Sequence, residues 1–128
     1  MTESATTAVT YEVDPLSATL SSLGPRRPAL SGSPVESVRV LHRNECGRSG
    51  IWECTPGSFE SARHGDSETM HFIAGAGTIT SSDGCVHTIR PGAVLVAPDG
   101  WSGTWNITET VRKVYTIWVS GAAEGKDV

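Results

Sequence analysis

From Val38 to Val119 the chain is cut into short β-prone runs by turn-forming residues at near-regular intervals, and this punctuation constrains the fold more than any other feature. The breaks read NECGRSG, TPG, HGDS, SSDG, RPG and APDG, each with Gly, Asp, Asn or Pro where a turn needs it. Between them lie SVRVLHR, SGIWECTPG, SFESAR, ETMHFIAGAGTITS, CVHTIRPG, AVLVAPDG, WSGTWNI and VRKVYTIWVS, eight runs rich in β-branched and aromatic residues. No window sustains a period of about 3.6 residues, so helices are not expected. In SSDG the Asp83-Gly84 pair tolerates the positive φ of a tight hairpin. Eight such strands predict an all-β sandwich or barrel, and closure removes the exposed strand edges.

Residues 1–35 differ in composition, being rich in Ser, Thr, Ala, Pro and Gly. They read as an irregular N-terminal arm, disordered over its first dozen residues, with Tyr11, Val13, Leu16 and Leu20 available to pin the rest to the domain or to a neighbouring subunit. Residues 36–120 form the domain and 121–128 a C-terminal tail, a division that suits 128 residues and one hydrophobic core. No apolar run reaches bilayer length and the N-terminus lacks a signal-peptide pattern, so a cytoplasmic protein without a membrane partner is expected. A net charge of −4 with dispersed basic residues argues against a nucleic-acid surface. Cys46, Cys54 and Cys85 are odd in number and lack metal-site spacing, so they read as reduced thiols, with Cys54 an apolar filler.

The stretch GSFESARHGDSETMHFIAGAG sets His64 and His71 around Glu68. Alternation places Glu68, Met70 and Phe72 on one face of a strand and His71 on the other. By the same rule Trp52 and Cys54 share a face, as do Lys113, Tyr115 and Ile117. If Lys113 and Tyr115 turn inward near Glu68, an enclosed acid, base and phenol result, and burial can tune all three for catalysis. The competing reading makes VRKVY an edge strand with solvated charges. Trp52, Met70, Phe72, Trp101 and Trp105 are candidate ligand-binding residues, with core packing the alternative for Trp105.

Gly and Pro order adds a family signal. GIWECTPG, Glu68 with Gly75, Gly84, Pro91-Gly92, PDGWSGTW and VRKVY together resemble the punctuation of cupins, over residues 35–120. The pattern is similar to the ureidoglycine aminohydrolase-like branch. That resemblance implies a double-stranded β-helix, or jelly-roll barrel, with a ligand cavity, and a homodimer. Metal-binding cupins carry HxH, then Glu, then a third His after PxG. Here Ala62 and His64 fall at the first two positions, Glu68 at the third and Gly103 at the fourth, while a shifted register puts Arg63 and Gly65 at the His positions. The resemblance therefore implies a degenerate metal set of His64 and Glu68. No cofactor is the favoured reading, with a divalent transition metal as the alternative. Of the manganese site that the resemblance implies for ammonia release from ureidoglycine, only His64 keeps its residue type.

Two functions stand open. The first is a small-molecule enzyme performing proton transfer, elimination, isomerisation or hydrolysis on a polar metabolite, with Glu68, Lys113 and Tyr115 as its catalytic set. The second is a non-catalytic ligand-binding cupin that supports a partner protein. A barrel filled by its own tryptophans would leave only a structural role.

Overall fold

The computed structural model describes residues 6–121. Nine strands follow a short 3-10 turn at Pro15–Ser17: β1 Ser21–Pro25, β2 Ser31–Gly32, β3 Val35–Asn44, β4 Gly47–Cys54, β5 Gly57–Ala62, β6 Asp66–Ser81, β7 Val86–Ile89, β8 Val94–Ala97 and β9 Ser102–Val119. All pair antiparallel in one curled sheet, the barrel expected from the turn spacing and the jelly roll that the cupin resemblance implies.

The longest strand does the joining. WSGTWNI and VRKVYTIWVS, expected as two strands, run together as β9, because the intervening TET offers no Gly or Pro to break it. The first half of β9 pairs with β5 and the second half with β4, while β6 runs along the opposite edge of both halves. Three register shifts between Phe72 and Gly77 let β6 follow that curve. Gly75 sits among them at φ 98°, and a Cβ there would stand 2.4 Å from the Thr110 carbonyl oxygen. Glycine is the residue that fits.

Alternation decides what enters the barrel. Val111, Lys113, Tyr115 and Ile117 of β9 are buried, whereas Arg112, Val114 and Thr116 face outward. Met70 and Phe72 are buried on β6 with Glu68, and His71 is exposed, as the period of two requires. The core combines Trp52, Cys54, Phe59, Met70, Phe72, Ile79, Trp105 and Val111 among others.

The arm departs from expectation in how it is held. Two of its segments become β1, paired with β3, and β2, paired with β5. Of the four residues expected to pin it by apolar contact, Tyr11, Val13 and Leu16 are exposed, Val13 at 92%, and Leu20 is half-buried. Polar contacts hold the arm to the domain. The outward-facing Arg112 donates through Nη1 to the carbonyls of Pro15, Leu16 and Ala18 at 2.8, 3.0 and 3.0 Å, and Arg39 pairs with Glu12. Only Ala18 of this stretch is buried. The first five residues of the arm, and the C-terminal tail beyond Gly121, lie outside the described residues.

Candidate functional site

The paired strands β6 and β9 bring Glu68 and Lys113 together on the inner face of the barrel. Lys113 Nζ donates to Glu68 Oε2 at 2.7 Å, and Arg63 Nη1 donates to Glu68 Oε1 at 3.3 Å. Both carboxylate oxygens are thus engaged. The ammonium also stands over three aromatic rings, 4.4 Å from the centre of Trp52, 4.9 Å from Trp105 and 5.8 Å from Tyr115. Such ring faces are negative and stabilise a desolvated cation. Trp105 in turn stacks on Phe59 at 5.7 Å and meets Trp52 and Phe72 edge-on at 5.5 and 6.0 Å. One end of the barrel is therefore a packed aromatic wall with a single ammonium set into it.

Burial lowers the Lys113 pKa below its ordinary value, because the charged form loses its hydration, while the charge and hydrogen bond of Glu68 oppose the shift. Burial raises the Tyr115 hydroxyl, with Arg48 and Arg43 pulling the other way. The Cys54 thiol, fully buried, is pushed up to about 12 by desolvation and then by Glu36, so it is a packing residue and not a nucleophile.

A second knot closes the side of the barrel nearest the arm. Arg26 Nη1 and Trp52 Nε1 both donate to Glu36 Oε1, each at 3.0 Å, and the Arg26 guanidinium lies 4.5 Å from the centre of the Phe59 ring. Between the two knots an open cavity of about 390 Å³ remains, so the barrel's own aromatics do not fill it. Its walls include Arg43 and Arg48 from the β3–β4 hairpin, Arg63, Glu68, Lys113 and Tyr115. The indole N–H of Trp105, which also lines it, has no hydrogen-bond partner among the described residues. A buried donor left unpaired costs about 1–3 kcal/mol, which a ligand or ordered water would recover.

The sequence candidates divide accordingly. Glu68, Lys113, Tyr115, Trp52 and Trp105 line the cavity. Tyr115 makes no hydrogen bond to Glu68 or Lys113 among the described residues, so the three converge only in part. Met70 and Phe72 belong to the core behind the cavity wall, and Trp101 is partly buried outside it with its Nε1 donating to Ser81 Oγ at 2.9 Å. VRKVY is not an edge: β9 is bonded on both sides, and Lys113 is 5% exposed. Arg26, Glu36, Arg43, Arg48 and Arg63 were not among the candidates. Arg63 alone had a signal, the shifted register of the first motif.

Comparison with known proteins follows the fold. The profile of the EutQ-like cupin domain matches residues 41–115, more than half of the chain. The chain belongs to the EutQ-like cupin domain family. Among solved structures it is similar to a protein of unknown function from Pseudomonas syringae pv. tomato, with 28% identity and a TM-score of 0.72 over 81% of this chain. It spans 46% of that protein's length. Clostridium difficile EutQ shares 18% identity at a TM-score of 0.59, covering 69% of this chain and 71% of that one. Ectoine synthase from P. lautus shares 16% at 0.61, covering 66% and 64%. No curated protein matches.

Within this EutQ-like cupin the implied metal set does not fit. His64 is exposed on the turn between β5 and β6 and does not line the cavity. Ala62 and Gly103 carry no donor, and Glu68 is committed to two cations. No three His, Cys, Asp or Glu side chains gather among the described residues, and three or four ligands are the rule. The charge opposite Glu68 is an ammonium.

Proposed function

We propose that this EutQ-like cupin acts on a small polar metabolite inside its barrel, with Lys113 and Glu68 as the proton-handling pair. The observation that carries the reading is their 2.7 Å hydrogen bond beside an open cavity. Burial favours the neutral amine of Lys113, and Glu68 holds the ammonium in place by a charge-assisted bond. In its neutral form Lys113 accepts a proton from a substrate carbon or oxygen, and the resulting ammonium, held by Glu68, returns it. Proton transfer, elimination, isomerisation and hydrolysis all need that capacity. The residues matching the ureidoglycine aminohydrolase-like pattern, such as GIWECTPG and VRKVY, support a place in that branch. They do not support its chemistry, because of the manganese-site positions only His64 keeps its type, and His64 lies outside the cavity.

A second reading is favoured by one observation. Both Glu68 oxygens are already paired and Lys113 is caged by three rings, which is how a rigid, non-catalytic ligand pocket would also be built. The test is to incubate the protein with pools of polar metabolites and follow them by NMR. Conversion by the parent but not by Glu68→Gln supports the enzyme. A metabolite bound by both and converted by neither supports the binding module, and no binding and no conversion refutes both.

We propose further that the chain forms a homodimer. Val94 and Val96 of β8 are exposed at 64 and 52%, and Val94 lies opposite the exposed His71 of β6. A face of this kind is what a symmetric partner covers. A monomer alone in sedimentation at micromolar concentration would refute it.

A further inference from the structure

We infer that the Arg43–Arg48 end of the cavity receives the carboxylate or phosphate group of a small anion, which assigns a substrate class to the barrel and rests on its reading as a small-molecule site. Arg43 of β3 and Arg48 of β4 stand directly opposite each other in the antiparallel ladder. Like charges at such a position are destabilising, and here both side chains line the cavity. Neither forms an ion pair among the described residues, whereas Arg26, Arg63 and Lys113 in the same cavity each hold a carboxylate. Five cations line the space against two carboxylates, Glu36 and Glu68, which leaves an excess of three positive charges inside a chain whose net charge is −4.

A third donor joins them. Tyr115 lies opposite Gly50, two residues along β4 from Arg48 and on the same face. A Cβ at Gly50 would sit 2.8 Å from the Tyr115 hydroxyl, so the missing side chain is what lets the phenol lie there. The proximity of Arg48 and Arg43 shows in their pull on the Tyr115 hydroxyl. Two guanidinium forks and one phenol make a set of donors with no carboxylate among them, and a planar carboxylate or a phosphate matches such forks. From Arg48 to Trp52, which faces Lys113, the chain rises roughly 13 Å. A metabolite of a few carbons, acid group at the hairpin and reacting group at Lys113, spans that interval.

The test uses succinate, inorganic phosphate and the neutral succinamide as probes, by calorimetry and thermal denaturation at constant ionic strength. Succinate or phosphate should bind and raise Tm while succinamide does neither. Arg43→Gln and Arg48→Gln should each weaken that binding about tenfold or more, the loss expected for a charge-assisted hydrogen bond. Without ligand and at low salt, the double variant should melt higher than the parent, because the like-charge pair is gone. Neither anion binding more tightly than succinamide, or undiminished binding in the double variant, overturns the inference. So does a lower Tm for the double variant, since the arginines would then be serving the fold. Those failures leave the barrel reading standing if the metabolite screen still finds a bound or converted neutral compound.

Discussion

Lys113 and Glu68 form a buried ion pair in which the partners are unequally supported: Glu68 has a second cation in Arg63, and Lys113 has no second carboxylate among the described residues. Removing one member of such a pair strands the other away from water, at a cost of about 3–5 kcal/mol. The inequality predicts an order. Glu68→Gln should lose most of that amount in denaturant unfolding, Lys113→Met clearly less, and the double variant less than the sum. Equal losses would show that Arg63 does not support Glu68.

Lys113 should titrate below the ordinary lysine value of 10.5, the cause being burial. Between its folded and unfolded pKa the unfolded chain holds a proton that the folded chain lacks. The Lys113 contribution to stability therefore rises with pH across that window and is flat below it. The chain has two lysines, Lys113 and Lys126, so side-chain nitrogen NMR gives two signals and Lys113→Met assigns them. Tyr115, raised above 10.0, slopes the other way, which makes the parent-minus-variant difference the quantity to measure.

Gly50→Ala should destabilise the fold by about 1–3 kcal/mol, the range for overpacking. The new methyl would lie 2.5 Å from the Arg39 carbonyl oxygen as well as 2.8 Å from the Tyr115 hydroxyl. Adding Tyr115→Phe should recover only part of the loss, since the backbone contact persists. Full recovery, read from melting temperatures, would place the whole conflict at the phenol.

The arm predicts a sharp truncation boundary. Deleting residues 1–10 removes no contact described above and should leave Tm unchanged. Deleting residues 1–18 removes Glu12 from Arg39, three carbonyls from Arg112 and the buried Ala18. A fall in Tm should appear only in the longer deletion, and Arg112→Met should reproduce part of it.

Asp99 clasps the turn that carries His64: it accepts from Gly65 N at 2.8 Å and from Ser120 Oγ at 2.7 Å. These bonds, Ser120 first, hold its carboxyl below the ordinary 3.8. The clasp is fully present above that value and is lost as pH falls through the lower, folded one. The stability difference between parent and Asp99→Asn should therefore shrink on acidification below about pH 4. A difference constant from pH 7 to 2 would contradict it.

The strands were legible because their ends are chemical. Asp83-Gly84, Pro91-Gly92 and Pro98 with Gly100 stop a ladder by backbone geometry, which local sequence carries. β9 was misread as two strands for the same reason, since tertiary pairing and not local chemistry carries it through Thr108–Thr110. That Lys113 shares a face with Tyr115, and Glu68 with Met70 and Phe72, was legible because alternation depends only on parity, whereas which face of β9 turns inward depends on its pairing on both sides. Arg26, Arg43, Arg48 and Arg63 are scattered in the sequence, and barrel closure alone makes them neighbours. The pinning of the arm was missed because Arg112 binds carbonyl oxygens, a contact that residue types do not announce.

The ammonium between Trp52, Trp105 and Glu68 has a consequence for chemical labelling. It is a primary amine at 5% exposure that lines the cavity beside the rings of Trp52 and Trp105. Acylation of Lys113 would then take the route a ligand takes, and a ligand seated in the cavity would slow it. The labelling rate with and without a metabolite thus reads the occupancy of the barrel.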